Sequence, residues 1–251
     1  MNVFTGLKGK TALVTGASRG IGKATALSLA KNGCNVIINY VHKKDDANEV
    51  ADEIIQTGQD ALVIQADVSK IEDIERLQAQ TMECFDGIDI LVNNAGIHQH
   101  LKSWEMTPGD WKRVIDVNLT GVFLVCRAFV PDFIKKRNGR IINISSVIAH
   151  KGTDHECHYA SSKSGILGLT RSLALELAPY NITVNAIAPG YIDTDMTSFS
   201  TKKERLDTLK IVPLGRIGNP AEIASAVCFL ASDLADYITG ETLNINGGLY
   251  C

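Results

Sequence analysis

The chain has 251 residues, 45% of them hydrophobic and 21% charged, with 21 glycines and a formal charge of -3 from 25 basic and 28 acidic side chains. This composition describes a soluble globular protein with one sizeable core, and it excludes nucleic acid or an acidic membrane as an evident partner. Six cysteines without a C-x-x-C pair read as reduced thiols rather than staples or metal ligands.

In chain order, the N-terminal stretch carries Lys8 and Lys10 where a signal peptide would need an apolar run. No later segment is expected to reach membrane-spanning length, so the expected location is the cytoplasm. TALVT (11–15) reads as the first strand and opens into TGASRGIG and the helical run GKATALSLAKNG. Gly16, Gly20 and Gly22, with Ser18, Arg19 and Ile21 among them, form a strand-to-helix turn that brings backbone N–H groups and a positive dipole end toward a pyrophosphate. Packing alone can demand glycines in such a turn, but the flanking strand and helix favour a dinucleotide.

NVIINY (35–40) is the second strand, and the residues after it choose the dinucleotide. Tyr40 ends it, His42, Lys43 and Lys44 follow, and Asp45 and Asp46 fall in the next helix's first turn. Together with Arg19 these cations would attract a 2′-phosphate, so the expected cofactor is NADP(H). Four further apolar runs, ALVIQA (61–66), IDILVN (88–93), GRIINIS (139–145) and ITVNAIA (182–188), precede a last strand, ETLNIN (241–246). Helical patterns separate them, as in ANEVADEIIQTG and IEDIERLQAQTMECF. The expected architecture is α/β: one Rossmann-type, doubly wound domain over residues 1–251, with a seven-stranded parallel sheet covered by helices on both faces. Residues 190–220, polar and broken by Gly and Pro, are placed as a substrate lid.

TGASRGIG, ADV (66–68), NNAG (93–96), VNLTGVF (117–123), INISS (142–146), YASSK (159–163) and APGYIDTDM (188–196) occur in the order and approximate spacing of the short-chain dehydrogenase/reductase family. The chain resembles that family over about residues 6 to 248. The resemblance implies hydride transfer between a nicotinamide and a carbonyl or secondary alcohol, commonly in a homotetramer. Its active site falls on Asn118, Ser146, Tyr159 and Lys163. Strand alternation and the family's gap before its tyrosine prefer Ser146 to Ser145. In this reading Tyr159 is the proton donor, and Lys163 lowers its pKa and binds ribose hydroxyls. Ser146 holds the substrate oxygen, and Asn118 binds a water linking Lys163 to solvent. Asp67 and Val68 are expected at adenine, and Asn94, Ala95 and Gly96 along the nicotinamide ribose. Pro189, Gly190, Ile192 and Thr194 are expected near the carboxamide and phosphates.

Within the family the chain is similar to bacterial 3-oxoacyl-acyl-carrier-protein reductases, through GRIINISSV, NITVNAIAPGYIDTDMT and LASDLADYITGETLNINGG. It departs at HECHY (155–159), at WEM (104–106), at Tyr180 where that group tends to place a carrier-binding arginine, and at Asn246 where many members have Asp. Arg137 keeps another such cation. The implied substrate is a 3-oxoacyl thioester, carrier-bound or free. A sugar, steroid or small ketone is the alternative, and a nucleotide-binding protein without catalysis the third. Five of the six histidines, His98, His100, His150, His155 and His158, fall in the segments that border the substrate mouth. They are read as a polar lip or solvated loops, and no metal site is expected.

Overall fold

The computed structural model describes residues 4–197 and 201–251, apart from the side chains of residues 202, 204 and 205. Residues 198–200 of the expected lid lie outside the described residues. The strands are β1 (Thr11–Val14), β2 (Asn35–Tyr40), β3 (Ala61–Gln65), β4 (Ile90–Asn93), β5 (Gly139–Ile144), β6 (Ile182–Pro189) and β7 (Thr242–Ile245). They form one seven-stranded sheet in the order β3-β2-β1-β4-β5-β6-β7, parallel throughout. Order reverses between β1 and β4, and the crevice beyond their carboxyl ends is where a Rossmann-type sheet takes its ligand.

The side-chain alternation of each strand divides the interior into two layers. Ala12, Val14, Val36, Ile38, Ile90 and Val92 face α1 (Gly20–Lys31), α2 (Lys44–Ile55) and a helix later in the chain, Pro220–Ala231. Leu13, Ile37, Leu91, Ile141 and Val184 face α3 (Ile71–Phe85) and two long helices that follow β4 and β5. This is why the strands read as nearly continuous apolar runs.

The first of those long helices is α4 (Pro108–Ile115), a π-helical turn at Asp116–Thr120 and α5 (Gly121–Lys136) in unbroken succession. Over Pro108–Lys136 it is long and apolar enough, by length and composition, to cross a membrane. The expectation that no segment reaches that length is corrected here. Val122, Val125, Cys126, Phe129 and Phe133 of α5 are buried against the sheet, so the apolar run serves a core helix. The remaining helices are α6 (Ile148–Lys151), α7 (Cys157–Leu177), α8 (Lys202–Ile211) and α9 (Pro220–Ala231).

Candidate active site

The glycine turn between β1 and α1 is shaped for close backbone approach. Gly16 and Gly20 adopt φ of +63° and +56°, and a Cβ on Gly22 would stand 2.3 Å from the Gly16 carbonyl oxygen. The turn is tied down by Asn39 of β2, a fully buried amide that the sequence reading passed over. Its Oδ1 accepts from the Gly16 N–H (3.2 Å), its carbonyl from the Ala17 N–H (2.9 Å), and its Nδ2 donates to the Ala66 carbonyl (2.8 Å). The available signal was an amide inside an apolar run, since a buried polar side chain persists only where its bonds are made.

Helix α1 starts at Gly20 with no side-chain cap and no acidic residue in its first turn. Helices α4 and α9 both close their first turns with capping boxes. The open end of α1 therefore offers its N–H groups and dipole to an anion, and the residues fit a dinucleotide pyrophosphate. Gly22→Ala is expected to weaken dinucleotide binding at least about 10-fold and to cost about 1–3 kcal/mol of stability through overpacking. Calorimetric titration and thermal unfolding measure the two effects.

Around this turn the expected contacts divide. Ser18 is buried, Ile21 packs on the core, and His42 and Lys43 are exposed beside Asp45 and Asp46, which do occupy the first turn of α2. Tyr40 differs from expectation, because it is 5% exposed and packs in the core layer of α1 and α2. Arg19 is engaged by Asp195 at 2.8 Å, so a 2′-phosphate would have to compete for it. Thr194 lies over the turn, its methyl 3.3 Å from where a Gly20 Cβ would be. The segment after β6 thus reaches the glycine turn, as a lid would.

Asp67 accepts from the Ser69 N–H and hydroxyl (3.0 and 2.7 Å), and Val68 is buried against Gly121. The carboxyl end of β4 is held to β1 by Thr15, a second residue missed in the sequence. Its Oγ1 accepts from the N–H groups of Asn94 and Ala95 (2.9 and 3.0 Å), while Asn94 Nδ2 donates to the Thr15 and Gly16 carbonyls (2.9 and 3.1 Å). Gly96 faces two polar groups: a Cβ there would lie 3.4 Å from Asn118 Oδ1 and 3.5 Å from Lys163 Nζ.

Tyr159 and Lys163 sit four residues apart on one face of α7, where helical pitch superimposes them, at 8% and 4% exposure. Lys163 Nζ lies 5.7 Å from the Tyr159 ring centroid and donates to the Ile144 carbonyl (2.8 Å). Alternation separates the two serines as expected. Ser145 Oγ donates to the Lys163 carbonyl (2.8 Å), fastening α7 to β5, whereas Ser146 lies beside the Tyr159 phenol, its Oγ accepting from the Ile148 N–H (3.2 Å).

Asn118 is held by three side-chain hydrogen bonds. It lies in the π-helical turn, fully buried, where the Gly121 N–H reaches back to the Asp116 carbonyl. Its Oδ1 accepts from the Ile97 N–H (2.8 Å), and its Nδ2 donates to the Ile97 carbonyl (2.9 Å) and to Ser162 Oγ (3.2 Å). Both amide donors are engaged, and the side chain clamps the loop after β4.

The electrostatics also depart from expectation. Burial pushes the Tyr159 phenol up to about 12; the Ser146 bond lowers it in part and the Glu156 charge raises it further. Burial pushes the Lys163 ammonium down to about 8. The ammonium bonds to Ile144 rather than the phenol oxygen, and desolvation outweighs any help it gives.

Beyond the tetrad, the Val147 N–H donates to Pro189 (2.8 Å) and the Gly190 N–H to Ile245 (2.9 Å), while Ile192 is buried and bridges to Gly218. Asn246 closes the C-terminal turn, with Nδ2 donating to Tyr250 (3.0 Å) and Oδ1 accepting from the Gly248 N–H (3.0 Å). His150 stacks on Tyr250 at 4.4 Å, while His98, His100 and His155 gather at the mouth in front of Tyr159 with Glu156. Among the described residues, no group of three or more His, Cys, Asp or Glu side chains is arranged to hold a metal ion.

A family model described as enoyl-(acyl carrier protein) reductase matches residues 16–250. The chain is 46% identical over 247 residues to the 3-oxoacyl-[acyl-carrier-protein] reductase of a Synechocystis strain, covering 98% of this chain and 99% of that one. It is 44% identical over 241 residues to the 3-oxoacyl-[acyl-carrier-protein] reductase FabG of Staphylococcus aureus, covering 96% and 98%. A crystal structure from Sinorhizobium meliloti 1021, assigned to the short-chain alcohol dehydrogenases, superimposes with a TM-score of 0.92 at 37% identity, over 96% of each chain.

Proposed function

The chain belongs to the short-chain dehydrogenase/reductase family, oxidoreductases of carbonyl and alcohol groups, and from that premise we propose that it is an NADP(H)-dependent reductase of 3-oxoacyl thioesters. The observation that carries the reading is the buried pairing of Tyr159 and Lys163 on one face of α7, with Ser146 beside the phenol and the uncapped end of α1 open to an anion. The relatives that match nearly the whole chain act on the 3-oxoacyl group of acyl-carrier thioesters by name, which supports the substrate class.

When bound, the reduced nicotinamide supplies the hydride that the carbonyl carbon receives. Ser146 donates to the carbonyl oxygen and holds it in line, and Tyr159 gives that oxygen its proton as negative charge develops. With its phenol near 12, Tyr159 is protonated throughout the neutral range, which suits an acid in the reducing direction. Lys163 binds ribose hydroxyls, and Asn118 keeps Gly96 against it by clamping Ile97.

Support for NADP(H) comes from the basic side chains of Arg19, Lys43 and Lys44, with His42 next to the two lysines and Asp45 and Asp46 in the first turn of α2. Arg19 would exchange Asp195 for a 2′-phosphate, which a surface ion pair of at most about 1 kcal/mol permits. Arg137 is exposed, with Lys135 and Lys136 in the turn before it, and is placed to meet an acidic carrier. We further propose a homotetramer in the cytoplasm, with one catalytic domain spanning the chain. Exposed Trp111, Phe123 and Leu175 on α4, α5 and α7 supply apolar surface for assembly.

The test is NADPH oxidation by purified protein given a 3-oxoacyl thioester, alongside titrations with NADPH and NADH. Turnover together with at least about 10-fold tighter NADPH binding is expected. Equal affinities refute the cation cluster, and turnover of a sugar or steroid ketone alone moves the substrate to that class.

A further inference from the structure

The loop after β4 and the head of α7 are joined into one rim. His98 Nε2 meets Glu156 Oε1 at 2.7 Å, and His100 Nδ1 reaches the same oxygen at 3.3 Å, although 58 and 56 residues separate the partners in sequence. The Leu101 N–H donates to the His155 carbonyl at 2.6 Å, and His155 holds φ of +59°, a conformation non-glycine residues rarely adopt. Such backbone strain persists only where the surroundings impose it, and it collects at working sites.

Glu156 is 8% exposed, and its Oε2 is buried with no hydrogen-bond partner among the described residues. A buried carboxylate costs stability unless it is paired, so a rim that existed only to close a loop would not carry one. What this carboxylate does is fix a ring: His98 stands edge-on to Tyr159, centroids 5.4 Å apart and planes at 89°, with its side chain 32% exposed. With Nε2 given to Glu156, Nδ1 of His98 has no bond to another described residue.

We infer that His98, oriented by Glu156, is a second polar contact for the substrate and recognises a hydrogen-bond-accepting group on the chain beside the carbonyl that Tyr159 and Ser146 hold. The identity of that group rests on the proposed function: in a 3-oxoacyl thioester it is the thioester carbonyl. The chemistry does not, because any 1,3-dicarbonyl presents the same acceptor. His98 is a specificity contact and Glu156 a positioning residue.

Protonation decides the sign of the contact. The Glu156 hydrogen bond raises His98 above its ordinary 6.5, against a smaller opposing effect of burial. Burial raises Glu156, but the bonds and charges of His98 and His100 outweigh it and leave the carboxyl below its ordinary value. The other titratable groups facing this pair are His155 with Asp154 beyond His100, the Tyr159 and Tyr191 phenols, and the buried His158 behind them. As an imidazolium, His98 presents an Nδ1–H donor to the acceptor. Once neutral, with Nε2–H kept on Glu156, it presents a bare nitrogen that rejects one.

The experiment compares kcat/KM for ethyl 3-oxobutanoate with kcat/KM for 2-heptanone, a ketone of matched length without the second carbonyl, in the cofactor-saturated enzyme. Wild type is expected to favour the 3-oxo ester, and His98→Phe to reduce that ratio about 10-fold or more, as loss of a hydrogen bond to a charged group does. The wild-type ratio should fall as pH rises through the elevated His98 pKa, and in Glu156→Gln the fall should begin at lower pH. Parallel losses for both ketones in His98→Phe, a ratio insensitive to pH, or no turnover of the 3-oxo ester would overturn the inference. An inactive acyl-carrier thioester beside a His98-dependent ratio on the ester refutes the proposed substrate alone.

Discussion

Tyr159→Phe is expected to lower turnover about 1,000-fold, within the range for loss of a positioned general acid, while leaving NADPH affinity within about threefold. The phenol is buried beside Ser146 and held protonated to about 12, so it is the acid available to the carbonyl oxygen that Ser146 holds. Lys163 points its ammonium at the Ile144 carbonyl, and His98 gives its Nε2 to Glu156. Stability should change by no more than about 1 kcal/mol, since the ring and its packing remain. Steady-state kinetics with a fluorescence titration of NADPH separates the two effects. A variant retaining a tenth of wild-type turnover would remove Tyr159 from the proton path.

Lys163→Met should have the opposite balance, a more stable protein with little activity. Burial depresses the ammonium from 10.5 to about 8, which corresponds to about 3 kcal/mol of penalty at neutral pH. Leaving the Ile144 carbonyl without its donor takes back about 1 kcal/mol, so a net gain of about 2 kcal/mol is expected. The sign carries through to pH. Between about 8 and 10.5 the unfolded chain binds a proton at this lysine that the folded chain does not, so wild-type stability gains with rising pH from this group. Below about 8 both states hold the proton and the penalty is fully present; above 10.5 neither does and it is gone. In Lys163→Met that component of the profile disappears. Urea unfolding at pH 7 and at pH 10 measures both, and a destabilised variant at pH 7 would mean that the ammonium contributes more through its bonds than burial costs it. Activity should fall at least about 100-fold, because a methionine can neither bind ribose hydroxyls nor place a positive charge near the phenol.

Much of this architecture is legible in the chain. All seven strands lie within two residues of their expected ends, because strands buried on both faces must be apolar along their whole length. The choice of Ser146 over Ser145 follows from a period of two, and the shared face of Tyr159 and Lys163 from a period of 3.6. Each of these needs only a repeat distance along one element.

The misreadings share a different cause. Tyr40 was expected at the cofactor and its ring is in the core, since a strand end does not reveal which side chain turns inward. The clamp of the Asn118 amide on Ile97 went unread because it depends on the π-helical turn. Asn39 and Thr15 went unnoticed because their partners, Gly16, Ala66 and Asn94, are backbone groups on other strands. An apolar length at Pro108–Lys136 cannot say whether lipid or a sheet covers it, and only the sheet's position against Phe129 and Phe133 does.

By itself the sequence determined the strands and helices, the glycine turn and the residue types that reduction of a carbonyl requires, because all of these are set by periodicity and side-chain chemistry. Only the tertiary structure decided which polar groups meet across the sheet's carboxyl edge. It brought His98 to Glu156 across 58 residues, turned Lys163 toward Ile144, and placed Arg19 on Asp195. Burial then moved the phenol and the ammonium in directions opposite to those their spacing on the helix suggests, because desolvation depends on everything that surrounds a group rather than on its neighbours in the chain.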